Sequence, residues 1–137
     1  MTKVVKGIRV LEVAQFTFVP AAGAILADWG ADVIKVDHPT RGDTQRGFIN
    51  MGGMQLDPDR HPLVEHPNRG KCSVGIDVTT PGGQEMLYEI AKTADVFLIP
   101  VKKVLTSQVS DGLAAIGPAC RSGRLDAASS EGSCASS

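Results

Sequence analysis

The sequence predicts an α/β fold: Rossmann-like βαβ units laid on a parallel sheet. Two observations carry that prediction. Four short apolar runs, Arg9–Val13, Asp32–Val36, Cys72–Val78 and Asp95–Ile99, are separated by stretches in which apolar residues recur with the period of a helix. The runs are also more continuous than alternating, which suits strands covered on both faces. In open parallel sheets ligands bind at the loops that follow the strand C-termini. Contacts are therefore expected at Gln15–Phe18 and His38–Arg46.

The first strand is followed by a polar-aromatic turn and then Pro20, which is tolerated in a first helical turn because its missing N–H has no partner there. Ala22, Ile25, Leu26 and Trp29 recur at helical spacing and predict the face that lies on the sheet, with Trp29 in the core. Gly30 is the expected helix stop, since glycine accepts the left-handed conformation that ends many helices. From Pro39 to Arg69, prolines and glycines break every period, and a long irregular connection of functional character is expected. Thr79-Thr80-Pro81 supplies an N-cap and a helix-opening proline. Leu87, Ile90, Ala91 and Ala94 form the buried stripe of the second helix.

The bulk numbers narrow the function. At 137 residues the chain is large enough for one modest core. Its 14 basic and 15 acidic residues leave a net charge of −1, without the basic excess that a nucleic-acid partner requires. No apolar run approaches the roughly 18–20 residues of a membrane helix, and the N-terminus lacks the pattern of a signal peptide, so a cytoplasmic protein is expected. Cys72, Cys120 and Cys134 have neither disulfide-framework nor zinc-ligand spacing, which fits reduced thiols and no metal site.

Two colinear blocks then carry a resemblance. GIRVLEVAQFTFVPAAGAILADWGADVIKVDHPTRGDTQR and NRGKCSVGIDVTTPGGQEMLYEIAKTADVFL resemble the opening of the family III CoA-transferases. That group includes formyl-CoA transferase, carnitine CoA-transferase and α-methylacyl-CoA racemase. The resemblance spans residues 5–98 and implies that residues 1–99 are an incomplete large domain of that fold. After Leu98 the chain reads IPVKKVLTSQ, where the family has an Asn-Phe/Tyr-x-Pro-Gly-like segment. Residues 100–137, rich in Ser, Ala and Gly, are expected to be a disordered tail outside the family.

The resemblance implies transfer of CoA between an acyl-CoA and a carboxylic acid, through covalent catalysis by an aspartate. CoA is then a substrate and not a covalently bound cofactor, and the subunits of the family interlock as homodimers. The racemase branch instead moves the proton α to the thioester with a histidine and an aspartate. The family's catalytic aspartate lies downstream, so no catalytic residue is assigned, and this truncated chain is expected to be inactive alone. Carried over by position, the CoA contacts are Gln15, Phe16, Thr17 and Phe18 after the first strand, His38 after the second, and Ile76 to Thr79 before the second helix. Arg41, Arg46, Arg69 and Lys71 are the nearby cations for CoA phosphates. His38 stands where the family often has Arg, and Cys72 replaces another, which removes two cations.

Other roles compete for some of these residues. Asp37 and Asp43 lie where a nucleophile would serve, but strand-end and turn duties explain them. His61 and His66 are expected as solvated loop histidines, and Cys72 as a small, partly buried residue. A non-catalytic module pairing with an intact family subunit is the main functional alternative. A dinucleotide oxidoreductase is disfavoured, because AQFTFVPAAG replaces the GxGxxG turn after the first strand.

Overall fold

A computed structural model describes residues 3–57 and 59–100. Strand β1 (Arg9–Glu12) leads into helix α1 (Phe18–Asp28) and strand β2 (Asp32–Asp37). A 3₁₀ turn (Thr44–Gly47), a hairpin of β3 (Asn50–Met51) and β4 (Met54–Gln55), and a short helix α2 (Pro62–Asn68) follow. Strand β5 (Cys72–Gly75), helix α3 (Pro81–Ala91) and strand β6 (Val96–Leu98) complete the described chain. The sheet is parallel with order β5-β2-β1-β6, so β1 lies inside it and the chain steps away from β1 in both directions.

The helix ends follow the expected chemistry. Gly30, at φ +101°, closes α1: its N–H donates to Ala27 O at 2.9 Å and Ala31 N–H to Leu26 O at 3.0 Å, the paired bonds of a Schellman motif. Thr80 caps α3, its hydroxyl accepting from Gly83 N at 3.1 Å, with Pro81 in the first turn. The stretch from Pro39 to Arg69 departs from expectation, since it holds a hairpin and a helix of its own. Gly52 and Gly53, at φ +60° and +84°, make the tight turn between β3 and β4 that two left-handed residues permit.

Two faces of the sheet bury two kinds of material. On one, Leu11, Val36, Ile76 and Phe97 pack with Leu87, Ala91 and Ala94 from α3 and the turn after it. On the other, Val10, Val33 and Ala31 meet Leu26 and Ala27. The two-residue period of a strand puts Glu12 on the Val10 face and Lys35 on the Val33 face, side by side in register beneath α1. Both are almost fully withdrawn from water.

Each has a partner. Lys71 Nζ donates to both oxygens of Glu12 at 2.8 and 2.9 Å and to Pro20 O at 2.7 Å. Burial pushes the Glu12 carboxyl up and the Lys71 ammonium down, and the mutual hydrogen bond and charge oppose both shifts. Lys35 donates to Asp43, which also accepts from the backbone N–H of Phe16 at 3.1 Å and of Gln45 at 2.9 Å. Asp43 thereby ties the turn after β1 to the turn after β2.

This charged layer decides which face of α1 turns inward. Pro20, Gly23 and Ala24 are buried, whereas Ile25 and Trp29 are half exposed, at 44% and 49%. The predicted stripe of Ala22, Ile25, Leu26 and Trp29 is thus corrected by a rotation of the helix. Small residues face the sheet because a larger one would strike the ion pair. A Cβ on Gly23 would fall inside van der Waals contact of Glu12 Oε2 and only 3.0 Å from Lys71 Nζ.

Two stability predictions follow from this layer. Gly23→Ala gains about 1 kcal/mol of helix propensity but overpacks a buried ion pair, and a net loss of about 2 kcal/mol is expected by urea denaturation; an unchanged midpoint would contradict the packing. Asp43→Asn leaves Lys35 with only Asp37 Oδ1 at 3.4 Å, for a loss of about 3 kcal/mol in the same measurement.

Candidate functional site

The C-terminal ends of β1, β2 and β5 open onto one cavity of about 1130 Å³, with Pro100 after β6 on its wall. Gln15, Phe16, Thr17 and Phe18 line it from the first turn, His38 and Arg41 from the second, and Ile76 and Thr79 from the third. The remaining expected cations do not line it. Lys71 is consumed by Glu12 beneath α1, Arg69 pairs with Asp28 at 2.6 Å, and Arg46 faces a separate, smaller cavity. Their places in sequence are close to the site, but their side chains leave the sheet on other sides.

The first turn owes its form to Asp43. Phe16 sits at φ +67°, a left-handed conformation uncommon for a bulky residue, and its N–H is held by the Asp43 carboxylate. The ring of Phe16 lies 6.2 Å from that of Phe48, tilted by 54°, and both border the cavity. Gln45, almost fully buried, completes the stitching. Its amide nitrogen donates to Phe16 O at 3.0 Å and Leu63 O at 3.1 Å, and its oxygen accepts from Thr17 Oγ1 at 2.8 Å. Thr17 forms no side-chain cap on α1, so the N–H groups of Phe18 and Val19 carry the exposed positive end of that helix into the cavity wall.

The second turn presents His38 as a neutral donor. Its Nδ1 accepts from the backbone N–H of Thr40 and Arg41, both at 3.3 Å, which leaves the ring hydrogen on Nε2. Nε2 lies 3.8 Å from Asp77 Oδ2. Asp77 in turn accepts from Thr79 Oγ1 at 2.6 Å and Thr79 N at 3.0 Å. Those bonds, aided by the charge of the nearby Arg41, hold its carboxyl below the ordinary 3.8.

Several residues have places that their sequence context did not suggest. His61, expected in solvent, is 2% exposed. Its Nε2 donates to Phe48 O at 3.0 Å, because it is the N-cap of α2, which packs against α1 and the 3₁₀ turn that Phe48 follows. Cys72 is exposed, being on edge strand β5, while Cys120 and Cys134 lie outside the described residues. Asp37 ends β2 and Asp43 serves a turn, as expected, although nothing in the local sequence signals that Asp43 is buried. Gln45 falls within the expected His38–Arg46 loop without having been singled out, and Phe48 was not anticipated at the cavity; neither has a motif, and the fold of the 39–69 stretch brings both there. Among the described residues no group of three or more His, Cys, Asp or Glu is arranged to hold a metal ion, and no helix is long and apolar enough to cross a membrane.

Comparison with known proteins gives the family of this chain. The model of CoA-transferase family III matches residues 5–108. The (R)-2-hydroxy-4-methylpentanoate CoA-transferase of Clostridioides difficile is 36% identical over 100 residues, covering 71% of this chain and 24% of that protein. The succinate–glutarate CoA-transferase of Agrobacterium fabrum is 38% identical over 113 residues, 81% of this chain and 26% of that protein. The crystal structure of Rv3272 from Mycobacterium tuberculosis superposes with a TM-score of 0.71 at 32% identity, over 88% of this chain and 34% of that one. The chain thus spans about a quarter of the length of the curated relatives it matches. With a family match over most of its length and the same parallel sheet, the chain belongs to CoA-transferase family III.

Proposed function

We propose that the large cavity is the coenzyme A-binding wall of an enzyme that moves CoA between an acyl-CoA and a carboxylic acid. The observation that carries this reading is the convergence of three strand-end turns on a single cavity, with an uncapped helix N-terminus, Arg41 and His38 beside a cluster of aromatic rings. Coenzyme A needs both kinds of surface: phosphates that accept N–H bonds, and an adenine and pantetheine arm that pack on apolar groups. Backbone N–H groups at a helix start suit a phosphate. Arg41 adds a permanent charge, and neutral His38 adds a hydrogen-bond donor.

In the reaction that the family resemblance implies, a carboxylate oxygen of an aspartate attacks the thioester carbonyl. The C–S bond breaks, CoA leaves as the thiolate, and a mixed anhydride remains on the enzyme. The CoA thiolate then attacks the aspartyl carbonyl of the anhydride, expelling the donor acid and leaving an enzyme thioester. The acceptor carboxylate attacks that thioester and expels CoA thiolate, which attacks the acceptor's carbonyl in the new anhydride and frees the aspartate. By that resemblance the aspartate belongs downstream of residues 5–98. The contribution we assign to the residues of this chain is to bind and orient CoA, and the 137-residue chain is expected to bind without turnover.

Calorimetry of the chain with CoA tests the reading. Saturable binding is expected, with Arg41→Ala weakening it about tenfold, as loss of a partly exposed charge-assisted bond should, and His38→Ala weakening it by a smaller factor. Absence of heat at millimolar CoA overturns it. The chemistry around Asp77 gives a second prediction. A carboxyl whose folded pKa is depressed stabilises fully above its ordinary 3.8 and loses that contribution as pH falls through the lower folded value. Thr79→Val removes the hydroxyl bond, so the Asp77 titration followed by carboxyl NMR should move up toward 3.8. An unmoved titration would deny the hydroxyl its role.

A further inference from the structure

Two polar atoms on the wall of the large cavity are uncommitted and stand side by side. His38, which follows β2, spends Nδ1 on the backbone N–H groups of Thr40 and Arg41, so its ring hydrogen is on Nε2. Asp77, which follows β5, spends Oδ1 on Thr79, and among the described residues no hydrogen bond reaches its Oδ2. Nε2 and Oδ2 lie 3.8 Å apart, too far for a direct hydrogen bond. Neither atom is buried, and both side chains line the cavity. A hydroxyl placed between them satisfies both, its oxygen accepting from Nε2–H and its hydrogen going to Oδ2, each at about 2.8 Å. An ionised phosphate oxygen can also accept from Nε2–H, but it brings no hydrogen for Oδ2 and sets a second negative charge against the carboxylate. Arg41 is the one Arg or Lys in the lining, and it stands close enough to Asp77 to help hold that carboxyl ionised, so its charge is already answered.

We infer that His38 and Asp77 form a ribose-hydroxyl subsite that favours 3′-dephospho-CoA over CoA itself. The inference rests on the CoA reading of the cavity. A nucleotide whose pyrophosphate sits at the N–H groups that open α1 carries its ribose toward the end of β2, where His38 stands. At that place doubly wound sheets meet a ribose hydroxyl with an acidic side chain and a ribose phosphate with an arginine. Here the acidic side chain comes from the neighbouring strand end, and the arginine is set against it. The dephospho compound offers hydroxyls on both adjacent ribose carbons. CoA replaces one of them by a phosphate beside the Asp77 carboxylate.

Calorimetry of the full chain with CoA and with 3′-dephospho-CoA, at neutral pH and one ionic strength, tests the subsite. The dephospho compound is expected to bind about fivefold more tightly. Asp77→Asn keeps an acceptor for Thr79 but removes the charge and frees Arg41. It should tighten CoA about threefold, weaken the dephospho compound, and so cancel the preference. CoA binding as tightly as the dephospho compound, or more tightly, overturns the subsite and leaves the CoA reading standing. A preference that survives Asp77→Asn overturns the subsite in the same way. No heat with either compound overturns the CoA reading and the subsite with it.

Discussion

The ion pair of Glu12 with Lys71 lies under α1 with both side chains withdrawn from water, and removing two charges from water is tolerable only with close geometry and every remaining donor satisfied. The fold meets that condition by bringing the backbone of α1 down onto the pair. Pro20 O takes a donor from the ammonium, and Gly23 leaves the space that the carboxylate fills. Helix position, helix rotation and the choice of small residues on its inner face all follow. The consequence reaches the surface, where Ile25 and Trp29 are turned outward because charge, and not apolar area, occupies the sheet beneath. The second buried pair, Lys35 with Asp43, acts in the plane of the loops. It fixes where the chain goes after β2 and, through the Phe16 N–H, how it leaves β1.

Much of this architecture was legible because it rests on local chemistry. Gly30, Thr80 and Pro81 announce helix ends through conformational freedom, a hydroxyl and a fixed φ, and none of these depends on distant residues. The apolar runs identify the strands because strands covered on both faces have little room for polar residues. The inner face of α1 was not legible, since the usual inference assumes an apolar sheet. Glu12, Lys35 and Lys71 look like ordinary surface charges until strand register puts them on one face. The 39–69 stretch was also misread. Its prolines mask a helix that one of them opens, and its hairpin is too short for a period, although Gly52-Gly53 was a usable turn signal.

The site shows the same division. Residues next to a strand end, such as Gln15 and His38, can be assigned to a cavity from topology, because parallel sheets gather those ends in one place. Cations next in sequence to such an end cannot be assigned this way. Lys71 and Arg69 are separated by one residue, yet one is buried under a helix and the other pairs with Asp28 at the surface. Direction decides, and direction is set by partners far away in the chain. Gln45 is the clearest instance: a polar residue with no motif, buried because three groups from two other segments need its amide.

The buried Glu12–Lys71 pair also bears on how the chain reaches this state. Its members are 59 residues apart, and β1, which is inside the sheet, completes its pairing only when Asp95 and β6 arrive from 86 residues away. Neither contact helps until most of the intervening chain is in place, so the entropy of closing long loops must be met before the stabilising terms appear. During synthesis, β1 and α1 emerge first but hold an unpaired carboxylate between them until Lys71 follows. An inner strand of this sheet is therefore among the first segments to be made and the last to be satisfied.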